Sequence, residues 1–520
     1  LSGVYDVAII GGGHNGLVCA GYLAKAGKRV VLAEASDRFG GAAITREFAP
    51  GMPVSACAHL IDMLPRSVVS DLGLTRHGLS LGGGQATTTV LCREGHHIRL
   101  TPDGAVGASI ADGAAYRALA ARLRRLAGHL RPVMDMVPPR LGTSSWSDHA
   151  RLLRLGWQVR SLGRADMREL LRIIGMNVYD LAEEHFESPL MRAALAFDAV
   201  LGHNYGPRTP GTVLTLLYRL AAQSGAVALS AGSSHAGMVT QAMAAAAHGF
   251  GAELRCAAPV ARILVEHDKA AGLCLADGQV LKAHKVISSA DPKTTFLRLL
   301  GPEYLDTGFV RKIRHFRSQG ATAKLHLALS GQPDFAGVDS SALAGRLVIA
   351  PSPDYIETAF NPTKYGAFPE SPALEILCPT ARAQGQALRD KHVLSVIVQY
   401  APYTLREGWE NRREAFMDCI VNTIEPYAPG LREKILAREL LTPLDIEREF
   451  GMAGGHWHHG ELAFDQILMM RPVPGAAHYA SPVDGLYLCG AGAHPGGGVM
   501  GLAGRNAARA VVRSMSAGHG

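Results

Sequence analysis

The sequence predicts an α/β fold. A doubly wound, Rossmann-like domain is assembled from three separate stretches of chain, with an α+β second domain interleaved between them. Three observations predict this. A strand, a glycine turn, a helix and a second strand follow one another within the first residues. The chain returns to short strands in its middle. Near residue 490 a strand runs into a glycine loop and a helix.

The first unit is the most explicit. An apolar strand at residues 4–10 enters Gly11-Gly12-Gly13-His14-Asn15-Gly16, and a helical pattern runs on to about residue 26. Gly11 permits the tight turn, Gly13 lets the backbone approach a pyrophosphate, and Gly16 lets helix pack closely on strand. The amides and dipole at the helix start attract phosphate. A second strand, 29–33, ends on Glu34, eighteen residues beyond Gly16. A carboxylate there accepts from ribose hydroxyls and repels a 2′-phosphate. Asp37-Arg38-Phe39-Gly40-Gly41 follows.

Residues 76–230 turn Leu/Ala/Arg-rich with helical periodicity, broken at Pro138-Pro139. Strands are expected at 254–256, 260–266, 272–275 and 285–288, with Asp277-Gly278 as a hairpin turn. One strand, 323–329, is read among helical stretches such as 412–424. The tail holds a strand at 485–489 and a helix at 498–515. No repeat of 20–50 residues is evident. The expected division gives 1–75, 231–300 and 441–520 to the nucleotide-binding domain, and 76–230 and 301–440 to a substrate domain.

Composition narrows the function classes. A chain of 520 residues, 48% hydrophobic and 19% charged, is globular and exceeds one simple core. Its net charge of +7 is spread over the whole length. No zinc-finger, RRM or basic-zipper pattern accompanies it, so nucleic acid is not expected as a partner. Eight cysteines form no CxxC pair, which argues against a redox disulfide or zinc knuckle. They fit a reducing compartment, and a cytoplasmic location is expected. No secretory-signal pattern is read at the start, and a removed leader stays open. No run of about eighteen apolar residues suggests a spanning helix. Arg117, Arg122, Arg124, Arg125 and Arg131, then Arg151, Arg154, Arg160, Arg164, Arg168 and Arg172, are interleaved with leucines. These segments read either as a solvated helix face or as peripheral contact with an anionic membrane. Homo-oligomerisation is left open.

Five motifs together specify a family. They are Gly11–Leu17; Gly40-Gly41-Ala42-Ala43; Thr209-Pro210-Gly211-Thr212; His459-Gly460-Glu461-Leu462 with Asp465-Gln466 and Met470-Arg471-Pro472; and Leu486 to Val499, containing Gly490-Ala491-Gly492 and His494-Pro495-Gly496-Gly497-Gly498. With these the chain resembles the FAD-dependent phytoene desaturase-like oxidoreductases. The resemblance implies a glutathione-reductase-type FAD domain holding extended, noncovalent FAD. Gly11, Gly13, His14, Asn15 and Gly16 would hold the pyrophosphate, and Glu34 and Ala35 the adenosine ribose. Arg38, Gly40, Gly41 and Ala42 would follow the pyrophosphate and ribityl chain, and Val260 would meet adenine through its backbone. Gly490, Ala491 and Gly492 stand where many flavoproteins have Gly-Asp, so the contact there passes to backbone amides or another residue. Gly498, Val499 and Met500 would bring a helix start to the flavin N1/O2 edge.

The candidates for chemistry come partly from that resemblance. Lys324, on a strand, corresponds to a lysine that binds a water at flavin N5 in related amine oxidases; otherwise it is a strand lysine facing solvent. His456, His458, His459 and Glu461 share one glycine-flanked loop. His459 and Glu461 are candidate acid/base groups, or part of a structural hydrogen-bond cluster, and no metal is expected. His494 either faces the isoalloxazine or stiffens its loop. His59, His203, Asn204 and Tyr205 are weaker cavity candidates. The expected activity is FAD-dependent dehydrogenation of a small-to-medium hydrophobic substrate, with hydride passing to flavin N5 and oxygen or a quinone as final acceptor. Amine oxidation, carotenoid-isomerase-like use of FAD without net redox, and a catalytically silent flavin-binding protein are the alternatives. No second nucleotide fingerprint supports an NADPH site.

Overall fold

Alternation and apolar runs in the chain become two large sheets and one two-stranded sheet. The computed structural model describes residues 3–82, 87–140, 142, 145–230, 235–382 and 391–517, so the 230/231 boundary falls partly outside the described residues. In chain order the strands are β1 (Tyr5–Ile10), β2 (Val30–Ala33), β3 (Thr45–Ala49), β4 (Met52–Ser55), β5 (Thr88–Val90), β6 (Ile98–Thr101) and β7 (Gly104–Val106). After a helical stretch come β8 (Glu253–Arg255), β9 (Val260–Glu266), β10 (Lys269–Leu275) and β11 (Val280–Ser288). The remainder are β12 (Thr322–Leu329), β13 (Arg346–Ile349), β14 (Ala373–Leu377), β15 (His392–Gln399), β16 (Ile435–Leu441) and β17 (Leu486–Leu488).

The first sheet is parallel in the order β8-β2-β1-β11-β17, and β10 and β9 extend it antiparallel from the early half of β11. Its central parallel strands, β2, β17 and the later halves of β1 and β11, are buried on both faces, as parallel strands between helices must be. Val7, Ile9, Val31, Leu32, Val286 and Ile287 pack with Leu17 of the helix His14–Lys25 and Val511 of the helix Leu502–Ala517. Gly504 makes that helix pair possible, because a Cβ there would collide with the Asn15 carbonyl oxygen. The last helix starts at Leu502, four residues after the expected start, because Gly498 and Gly501 take positive φ and keep residues 498–501 non-helical.

The second sheet runs β16-β12-β15-β14-β13-β5-β6-β7, antiparallel except between β13 and β5. It also differs from expectation: the sequence shows one strand in 301–440, whereas the fold has β12 to β16 there, and β5 to β7 lie in the stretch read as helical. One face packs on the helix Trp409–Ile424 through Leu325, Leu327, Ile376 and Val396. The other meets the helices Ile110–Met134, Pro189–Val200 and Thr212–Gln223 through Val348, Ile397 and Ala373. Strands covered on both sides lose the alternation that would reveal them.

Candidate functional site

The N-terminal loop has the geometry of a phosphate cradle. Gly11 has φ +89°, and a Cβ on Gly16 would collide with the Gly11 carbonyl oxygen. A Cβ on Gly13 would meet nothing within 4 Å, so the space beside it is open. No side chain caps the helix that starts at His14, which leaves its first amides for a ligand. Gly13 and Gly40 form a parallel bridge, and the Gly40 amide donates to the Gly12 carbonyl at 2.8 Å. The two glycine turns therefore lie side by side. Glu34 accepts from the Gly12 amide at 2.5 Å and the Ser36 amide at 2.9 Å, and each carboxylate oxygen keeps a further lone pair. Ala35 is exposed, and exposed Arg38 turns to Asp37 at 3.0 Å. Val260 opens β9 opposite Leu275.

The C-terminal loop closes the cradle. A Cβ on Gly490 would collide with the Ser289 carbonyl oxygen, and one on Gly492 would lie 2.5 Å from Pro292, so both glycines serve close packing. Buried Arg471 holds this loop against the histidine loop. It donates to the carbonyls of Ala491 (2.8 Å), His458 (2.6 Å), Glu461 (3.0 Å) and Gln466 (3.1 Å), and burial lowers its pKa to about 10. Nothing in the sequence marks it beyond an arginine inside a conspicuous motif.

A cavity lies where these loops meet the second sheet. His14, Ala42, Ala43, Gly498 and Val499 form one wall, and Met500 is buried behind Gly498. His14 Nε2 is buried with no hydrogen-bond partner among the described residues, and burial lowers the ring's pKa to about 4. The open space at Gly13, the uncapped helix and this neutral imidazole fit a dinucleotide.

The lining continues with Leu60, Met63, Leu201 and Ile397, with His59, Asp198 and Glu375 set among them. Strand register explains the polar groups. Lys324 and Glu375 each stand opposite Ile397, on one face of the sheet. Lys324 Nζ contacts His59 Nδ1, and His59 Nε2 lies 3.6 Å from Glu375 Oε1. Arg346 Nε binds Glu375 Oε2, and Arg346 Nη2 lies 2.6 Å from Asp198 Oδ1. The result is a continuous chain, Lys324–His59–Glu375–Arg346–Asp198. Lys324 does not face solvent: it is buried, and desolvation lowers its pKa to about 7 despite nearby Glu375. Burial raises the Asp198 pKa, but Arg346 and Arg219 outweigh it and the net shift is downward. His59 reaches this position because Ala56 and Ala58 donate to the Ile44 and Ala42 carbonyls, tying its loop to the cofactor side.

Of three other candidates, Glu461 and His494 are engaged in holding loops. Glu461 accepts from Arg317 at 2.7 Å and Tyr205 Oη at 3.0 Å. His494 Nε2 lies 2.8 Å from the Val133 carbonyl, and burial lowers its pKa to about 4. His459 is half-buried at φ +53°. None of the three lines the cavity. His203 and His458 do, stacked at 5.1 Å with 9° between their planes, while Asn204 lies in a separate pocket. Burial keeps His203, His456 and His458 neutral. Among the described residues no three His, Cys, Asp or Glu side chains converge as a metal site would require. Sequence reasoning missed Asp198, Arg346 and Glu375. The available signal was a lone charge within the apolar runs Arg346–Ile349 and Ala373–Leu377.

Residues 16–400 match the family described as flavin containing amine oxidoreductase. The chain is 33% identical, over 98% of its own length and 94% of the relative's, to mouse (Mus musculus) pyridine nucleotide-disulfide oxidoreductase domain-containing protein 2. It is 28% identical to the hydroxyneurosporene desaturase of Cereibacter sphaeroides, over 99% and 98% of the two chains. Its fold is similar to that of cyclohexylamine oxidase from Brevibacterium oxydans, with a TM-score of 0.57 at 19% identity, covering 99% and 100%.

Proposed function

The chain belongs to the flavin-containing amine oxidoreductase family and is an FAD-dependent oxidoreductase, and from this premise we propose that it dehydrogenates a hydrophobic organic substrate whose reacting bond lies beside a polar end. The observation that carries the proposal is the cavity, which has the cofactor loops on one side and the buried Lys324–His59–Glu375 contacts on the other. Bound FAD supplies a two-electron, hydride-accepting centre, with oxygen or a quinone as the final acceptor.

The protein's own residues do the rest. Leu60, Met63, Leu201 and Ile397 hold an apolar body and exclude water. His59 takes the proton that leaves as hydride is lost. With Lys324 neutral, the His59 Nδ1–H donates to the amine, which makes Nε2, on the Glu375 side, the acceptor. Protonated Lys324 donates instead and imposes the opposite tautomer. Glu375, fixed by Arg346, lies on the Nε2 side and stabilises the positive charge the ring gains with that proton.

Amine oxidation is the second reading, favoured by Asp62, Asp198 and Glu375 on the cavity wall. These carboxylates are already matched by Arg219 and Arg346. The stacked His203–His458 pair leaves no slot between its rings for an amine.

Anaerobic mixing of the holoenzyme with hydrophobic alcohols, amines and isoprenoids tests the proposal. Flavin bleaching is expected with at least one class, slowed about 10²–10⁴-fold in His59→Gln. Conversion of a substrate without bleaching would instead mean isomerisation. Compounds that bind, bleach nothing and are not converted would leave a scaffold.

A further inference from the structure

The helix Trp146–Ser161 is inverted with respect to ordinary amphipathic packing. Trp146, Leu153 and Trp157 are 86%, 75% and 72% exposed. At about 100° per residue these three side chains fall within roughly 40° of one another, forming one stripe. Leu171, on the next helix, Gly163–Ile173, is also exposed. Exposed tryptophans at helical spacing are not the composition of a solvated face. The stripe also accounts for half of the four tryptophans in the chain.

Charge on the same helices indicates what covers it. Asp148 is taken by Arg151, Asp166 by Arg125, and Glu169 by Arg122 and Arg172. Arg154, Arg160, Arg164 and Arg168 have no ion-pair partner among the described residues. A second copy docked through this face would bring two such arginine groups together and repel itself. A polyanionic, partly apolar surface satisfies both features, with tryptophan rings at the headgroup level and guanidiniums on phosphates. Among the described residues no helix is long and apolar enough to cross a membrane, so contact here would be from one side.

We propose that the face formed by Trp146, Leu153 and Trp157, with Arg154, Arg160, Arg164 and Arg168, docks on an anionic lipid bilayer. The holoprotein is mixed with vesicles of phosphatidylcholine alone, or with a third of the lipid replaced by phosphatidylglycerol. Sedimentation and tryptophan emission are then followed at low and high salt. Binding about tenfold or more stronger to the anionic vesicles is expected, with blue-shifted emission and reversal by salt. The surface variant Trp146→Ser/Leu153→Ser/Trp157→Ser should lose the binding and the shift while retaining FAD. Arg154→Glu/Arg164→Glu/Arg168→Glu should abolish the preference for anionic lipid. The proposal is overturned by no sedimentation at low salt, or by equal, salt-independent binding to both vesicles. It is also overturned by a vesicle-free dimer that the triple serine variant dissociates, which would make the occupant a second copy.

Discussion

Lys324 concentrates the chemistry of the site in one ammonium. It stands on β12 beside Ile397 and against His59, and burial lowers its pKa from 10.5 to about 7. Below the folded-state value both the folded and the unfolded chain carry the proton, and the folded chain bears the full cost of a buried cation. Between about 7 and 10.5 the unfolded chain holds a proton that the folded chain has released, so stability rises with pH across that window. Lys324→Met should therefore stabilise the fold by up to a few kcal/mol near pH 6, with the gap closing toward pH 10. Denaturant unfolding at both pH values measures it, and a gap independent of pH would show that Lys324 does not titrate there. The same residue should govern rate. Flavin reduction in the parent should rise through about pH 7, as neutral Lys324 leaves His59 Nε2 to accept, and Lys324→Met should flatten that inflection.

At the scale of elements, the glycines separate folding from binding. Gly16→Ala drives a Cβ into the Gly11 carbonyl, so the helix His14–Lys25 cannot seat and folded yield should collapse. Gly13→Ala meets nothing within 4 Å in the protein itself. It should fold with an unchanged apoprotein melting temperature yet lose about tenfold or more in FAD affinity, at least ~1.4 kcal/mol. Isothermal titration of apoprotein with FAD checks this, and parent-like affinity would place the pyrophosphate elsewhere. This unit was legible in the sequence because its strand, glycine turn and helix start lie within a few residues of one another. The second sheet was not. Arg346 and Glu375 are lone charges in short apolar runs, and only the pairing of β13 with β14 shows that they neutralise each other. Lys324 was picked out by resemblance, but the loop after β4 that brings His59 to it is separated by 265 residues. Arg471 was visible as a motif letter, whereas its role depends on carbonyls from two loops.

The whole molecule behaves as one unit if the cavity is its seam. His14, Ala42 and Val499 come from the cofactor side, while His59, Asp198 and Glu375 line the face toward the second sheet. Tyr218 Oη donates to the Gly497 carbonyl at 2.7 Å, and Asn506 Nδ2 to the Met134 carbonyl at 2.9 Å, binding the C-terminal loop and helix to helices beyond the first sheet. FAD binding only the folded chain should then stabilise both sheets. With free FAD at a hundred times its dissociation constant the gain is about 2.7 kcal/mol. Trp409, buried in the second sheet's core, reports on the far side of the molecule. In a variant whose other three tryptophans are phenylalanine, its emission and flavin release should change at the same temperature, and both transitions should move up together as FAD is added. If Trp409 unfolds at a temperature indifferent to FAD while flavin release shifts, the two sheets melt separately. The cavity walls would then be a contact between independent units, and the polar chain from Lys324 to Asp198 would have to be held by the second sheet alone.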